Sequence, residues 1–308
     1  MKSKVALTRG GNRSENISAA LQLIRDDIDL GGKSDLFIKV NFVSTTNQLA
    51  ATHVDGVRSL LRFLRERYDR KITIGESTLG SAHDGFEQYG YLDLVKEFDV
   101  ELVDLNEGEW KLVDLYDSAL QPMKLHYSRR VIDSDYRIAI GPSKTHDTVG
   151  VTLSIKNLAM GGLSYPHGDK SSMHQGYPYM NLNLLLLTGW YPPHLSIIDG
   201  FSGMEGEGPC DGEAVDWGMA LASCDPVAAD CLAAQLMGFD ISDIGYLWYC
   251  REKGLGAGDM SEMDILGENP EDCRRDFRPH STFQEQKRWR DERIEKMLNI
   301  GRSSGVSG

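Results

Sequence analysis

Through the first hundred residues, short apolar runs alternate with stretches whose apolar positions recur every three or four residues. Residues 5–8 read as a strand, Gly10-Gly11 as a turn, and Ser14 as the cap of a helix carrying Ile17, Leu21 and Ile24 on one face. Residues 36–40 form a second apolar run. Thr52 then caps a helix with Val54, Val57, Leu60, Leu61 and Leu64 on one side, and Asp55 completes a near capping box. Residues 72–74 predict a third strand, residues 86–98 a third helix, and residues 100–103 a fourth strand. Strand and helix in strict alternation imply a mostly parallel sheet covered by helices.

The second half is less regular. A strand over residues 136–140 is expected to stop at Gly141-Pro142, and residues 195–198 predict another. Between them, residues 159–194 are rich in Gly, Pro, Tyr and His, the composition of a binding loop. Asp225-Pro226 opens a helix that Gly238 ends. Residues 282–300 read as a charged terminal helix, and the Ser/Gly run 301–308 as a flexible tail. The fold class expected is α/β, a mostly parallel sheet flanked by helices with an irregular, loop-rich central segment. Residues 1–300 are expected to form a single large domain.

Charge narrows the function. The 308 residues hold 33 Lys+Arg against 46 Asp+Glu, a net charge of -13, which argues against nucleic acid and anionic membrane as partners. No apolar run approaches the ~18 residues of a membrane span, and the N-terminus lacks a signal-peptide core, so a cytoplasmic setting is expected. The five cysteines show no C-x-x-C spacing. Residues 138–250 contain no arginine, and only Lys144, Lys156 and Lys170 stand there among twelve acids.

Those isolated lysines are the candidate chemistry. Lys144-Thr145-His146 follows a strand, where α/β sheets bind ligands, and Lys39-Val40-Asn41 ends another. Lysine holds carboxylate or phosphate, and histidine moves protons near neutral pH. His146, Lys144 and Lys156 are therefore the expected catalytic groups. Lys39, Asn41, His53, Asn157, Lys170 and His174 are the expected substrate-binding groups. Asp199, Glu205 and Glu207 flank a Gly-rich turn that would repel bare phosphate but suits a divalent metal. Asp230 lies in an otherwise apolar helix and needs a buried partner, for which one of the lysines is expected. Phosphate-loop, dinucleotide, zinc-protease and serine-hydrolase signatures are absent.

Taken in order, Ile38-Lys39-Val40-Asn41, Ala51-Thr52-His53, Ile74-Gly75-Glu76-Ser77, Lys144-Thr145-His146, residues 151–158 with Gly161, Ile198-Asp199-Gly200, residues 205–209 and residues 222–230 resemble the family called domain of unknown function 362. The resemblance spans about residues 35–245 and implies one shared α/β unit. Many relatives carry ferredoxin-like cysteine motifs and are described as iron–sulfur proteins. This chain has none, so no iron–sulfur cluster is expected. The expected function is an enzyme that acts on a small anionic molecule by Lys/His acid–base chemistry, with a site suited to a divalent metal. The alternative is a non-catalytic metal- or cofactor-binding accessory protein. The sequence leaves the oligomeric state open.

Overall fold

The computed structural model describes residues 2–300. The expected tail at 301–308 lies outside the described residues. The chain runs β1 (Ser3–Arg9), α1 (Arg13–Leu23), β2 (Leu36–Lys39), α2 (Val54–Arg65), β3 (Ile72–Glu76), α3 (Ala82–Gln88), α4 (Leu92–Glu97) and β4 (Val100–Asp104). It continues through β5 (Trp110–Tyr116), β6 (Pro122–Ser128), α5 (Arg129–Ile132), β7 (Tyr136–His146), β8 (Gly150–Thr152), α6 (Ser154–Gly161), α7 (Asp169–Ser172) and α8 (Tyr177–Trp190). The last part contains β9 (Leu195–Glu205), β10 (Glu213–Ser223), α9 (Pro226–Leu236), α10 (Gly245–Glu252) and β11 (Met263–Gly267).

One sheet orders its strands β11-β1-β10-β9-β7-β2-β3-β4, with β8 paired antiparallel to β7 and β5–β6 forming a separate hairpin. Apart from β8, only β10 runs against its neighbours, β1 and β9, so the sheet is mostly parallel, as the alternating pattern implied. Strand alternation divides the core in two. Leu36, Ile38 and Val40 of the β2 segment join Ile138, Ile140, Leu195 and Ile197 beneath α1–α4. Phe37, Ala139 and Ile198 face the layer of α6, α8, α9 and α10. Among the described residues, no helix is long and apolar enough to cross a membrane.

Several expected boundaries are corrected. The third helix breaks into α3 and α4 around Gly90, whose φ of +78° is left-handed. Asn12, not Ser14, caps α1, and His53, not Thr52, caps α2. β7 does not stop at Gly141-Pro142 but continues to His146, and β9 continues past Asp199-Gly200 to Glu205. Pro142 is tolerated because β2 stops pairing with β7 at Lys39↔Ala139, and the β7–β9 register shifts between Pro142 and Lys144. The expected irregular segment 159–194 is broken up by the end of α6, by the short α7 and by α8 over residues 177–190, which a proline opens in its first turn. The terminal helix is two short turns, Phe283–Gln286 and Glu292–Met297.

Candidate functional site

The sheet face and helix α6 together build the site. Lys39 shares the Phe37 side of β2 and so points toward α6, while β3, paired in parallel, ends beside it with Glu76. α6 is held in place by Asp230 of α9, whose carboxylate accepts from Ser154 N (3.0 Å), Ser154 Oγ (2.5 Å) and Ile155 N (2.9 Å). A carboxylate at a helix start satisfies its unpaired amides and complements its dipole. The partner of Asp230 is thus a helix N-terminus and not a lysine. Burial nevertheless pushes the Asp230 carboxyl up to about 7, against those hydrogen bonds. So anchored, α6 presents Lys156, Asn157, Met160 and Gly161 to one cavity, the i, i+1, i+4 and i+5 positions of a helix face.

The cavity has a volume of about 200 Å³, several times the ~30 Å³ share of one water. Lys39, Asn41, His146, Lys156, Asn157, Lys170 and His174 line it, together with Glu76, Ser77 and Tyr165. Seven of the residues singled out from sequence therefore converge. Lys39 Nζ donates to Glu76 (2.7 Å), Val40 O (2.6 Å) and Asn157 Oδ1 (3.3 Å). Glu76 also accepts from the amides of Phe42 (2.5 Å) and Ser77 (2.6 Å). Lys170 Nζ donates to Ser77 O and to Ser77 Oγ (2.6 Å), and lies 4.3 Å from the Tyr165 ring centroid. Lys144 stands behind the wall, donating to Asn41 Oδ1 (2.6 Å) and Ala50 O (2.8 Å). Asn41 Nδ2 in turn donates to Asn157 Oδ1 (3.3 Å).

Burial depresses these amines. It pushes Lys144 down to about 7, helped by the charge of Lys156, Lys170 to about 7, and Lys156 to about 8. Lys39 is also lowered by burial, with Glu76 opposing. Glu76 is the buried partner of Lys39, while the charge of Asp147, on the same cavity wall, opposes the desolvation of Lys156.

Two histidines line the same cavity. His146 Nδ1 meets both Thr148 N (3.0 Å), a donor, and the Asp147 carboxylate (3.0 Å), an acceptor. Burial holds His146 down to about 3, against the pull of Asp147, so this ring stays neutral. His174 Nδ1 lies 2.9 Å from the carbonyl of Lys170, which can only accept, so Nδ1 carries the proton and Nε2 is free to take one.

The expected acidic group does not assemble. Asp199 lies on the α1–α2 side of the sheet and is bound by Arg13 (2.9 Å), in a separate cavity with His53. The His53 Nδ1 is occupied by Asp55 N (3.2 Å), as the helix cap. Glu205 is six strand residues from Asp199, roughly 20 Å of extended chain. It accepts from Arg278 N (3.0 Å), and Glu207 accepts from Ser281 N (3.2 Å) and faces His280 (3.0 Å). Asp199, Glu205 and Glu207 thus do not fit one divalent ion. His126, His167 and Asp169 form a different cluster that could hold a metal. Their imidazoles are stacked at 3.8 Å and 17°, so their in-plane lone pairs run nearly parallel, and joint ligation requires one ring to turn. Sequence reasoning missed Glu76, Ser77 and Tyr165 as cavity residues. A carboxylate closing an apolar strand next to one that closes with lysine was the available signal for Glu76.

Close packing of α6 on β2 gives a direct test. A Cβ at Gly161 would overlap Cε of Lys39 and lie 2.5 Å from its Nζ. Gly161→Ala is expected to displace Lys39 from Glu76 and cost about 1–3 kcal/mol by overpacking. Urea unfolding measures it, and a neutral effect would show that α6 can shift without cost.

Comparisons with known proteins place the chain. It resembles the thylakoid-associated protein sll1697 of Synechocystis sp., with 25% identity over 201 residues, covering 63% of this chain and 59% of that protein. The lactate racemase apoprotein of Thermoanaerobacterium thermosaccharolyticum overlays with a TM-score of 0.48 at 12% identity, over 77% of this chain and 57% of that one. The chain thus spans somewhat under three-fifths of the length of both. The sequence profile of the family described as domain of unknown function (DUF362) matches residues 36–235, from the first residue of β2 to the last turn of α9. That match takes in every residue lining the cavity, and the chain belongs to this family.

Proposed function

We propose that the cavity is the active site of an enzyme acting on a small anionic metabolite through lysine and histidine acid–base chemistry, in a cytoplasmic setting. The observation that carries this reading is the convergence of Lys39, Lys156 and Lys170 on about 200 Å³, with Lys144 behind the wall and Glu76 as the buried partner of Lys39. A carboxylate or phosphate supplies the missing negative charge and restores the protonation that burial suppresses. His174 Nε2 accepts a proton from such a ligand, and the neutral His146 lines the same cavity.

Isothermal titration with sulfate, oxalate and phosphate tests it, with chloride as background. Binding is expected to take up protons at pH 8, and affinity to fall about tenfold or more from pH 7 to 9, as Lys156 loses its charge. Lys156→Met is expected to weaken binding at least tenfold. Anion binding that ignores both pH and this substitution would place the ligand elsewhere and sink the proposal.

The second reading, a metal-binding accessory protein, is favoured by the His126, His167 and Asp169 cluster. Stoichiometric zinc or nickel retained by purified protein and lost in His126→Ala would support it.

A further inference from the structure

The four amines differ in how their donors are engaged. An ammonium group carries three N–H donors. Lys39 directs all three at protein acceptors, Lys144 two, and Lys170 two while resting on the Tyr165 ring. Lys156 makes no hydrogen bond and no ion pair among the described residues, although it is only 8% exposed and lines the cavity, and the charge of Asp147 on the same wall reaches it only from beyond contact distance. A buried amine without a partner opposes folding, and a binding site is where such a group is retained.

Resting on the anion reading above, we infer that Lys156 is the nucleophile of the site and captures the carbonyl carbon of a small oxo acid as an imine, with Lys170 holding the carboxylate. The Lys156 Nζ lone pair forms the C–N bond, and the carbonyl π pair moves to oxygen. His174 Nε2 takes the proton that the nitrogen sheds and hands it to that oxygen. A further proton from solvent, passed through the same imidazole, lets the oxygen leave as water. The sum is amine plus carbonyl plus proton giving protonated imine plus water, with no oxidant or reductant. The reacting form is available: with Lys156 down to about 8, roughly one molecule in ten carries the neutral amine at pH 7, against roughly one in three thousand for an ordinary lysine. Lys39 is tied to Glu76 and Lys144 lies behind Asn41, so neither competes.

Reductive trapping decides the matter. The full chain is incubated with glyoxylate, pyruvate or 2-oxoglutarate and sodium cyanoborohydride, then mapped by peptide mass spectrometry. One of these acids is expected to label Lys156 at least tenfold above any other lysine. Lys156→Arg, which keeps the cation but cannot form the imine, is expected to lose that label, with folding checked by its unfolding midpoint. The wild-type map locates the label even if this variant misfolds. Oxo acids that bind by calorimetry yet leave Lys156 unlabelled would overturn the imine and leave the anion reading standing. Absence of binding by every anion would overturn both.

Discussion

Replacing Glu76 by Gln is expected to lower the unfolding free energy by about 3–5 kcal/mol, the usual effect of breaking one side of a buried ion pair. The Glu76 carboxylate is buried and accepts from three donors: the Lys39 ammonium and the amides of Phe42 and Ser77. A glutamine offers one oxygen to those three, and its NH₂ must face a donor. Lys39, wholly buried, is left with a charge that nothing nearby offsets. The midpoint of thermal unfolding should fall by roughly 10 °C. Removing both partners, as in Lys39→Met with Glu76→Leu, should recover part of the loss, since the amine no longer needs compensation. A Glu76→Gln variant within about 1 kcal/mol of wild type would show that the pair does not hold the cavity together.

The second large effect is on pH. Without a ligand, the protein is expected to grow more stable between pH 7 and 9. Lys144 and Lys170 titrate near 7 and Lys156 near 8 when folded, against 10.5 for an ordinary lysine. In that window the unfolded chain binds more protons, so raising the pH favours the fold, by up to about 1.4 kcal/mol per pH unit for each amine. Below pH 7 the slopes oppose one another. Asp230, raised to about 7, favours the fold as pH falls, while His146 and His194, held down to about 3 and about 4, disfavour it. The distinctive limb is therefore alkaline, where most proteins have passed their maximum. Urea unfolding in chloride from pH 6.5 to 9.5 should show it, and saturating sulfate should flatten it by holding the lysines charged. Stability that falls from pH 7 upward would mean that these amines keep ordinary affinities for protons.

How much of this was legible follows from the reach of each signal. Strands β1–β4 and helices α1 and α2 could be read because their apolar spacing is local. Helix α8 could not, because it is apolar nearly all round and shows no stripe. Its polar Asn183 pairs with the backbone of Tyr116 and its Asn181 accepts from Tyr246 N, long-range contacts invisible from spacing. The overrun of β7 through Pro142 depends on where β2 stops pairing, which is a fact about another strand. The lysines stood out because residues 138–250 hold so few cations. The acids misled for the converse reason. The Asp199 carboxylate is met by Arg13, 186 positions earlier, and Glu205 and Glu207 by a segment more than 70 positions later.

The unpartnered Lys156 on α6 has a consequence for anyone who evolves this protein in the laboratory. Its replacement by methionine keeps the length of the chain, removes a buried cation and strands no acceptor among the described residues. A library screened for heat resistance alone should therefore gather substitutions at position 156 early and lose the chemistry without any sign in the fold. Screening in the presence of a tight-binding anion would reverse that pressure, because the ligand then stabilises only the chains that keep the amine. Whether the position drifts or stays fixed under the two regimes separates selection for sturdiness from selection for work.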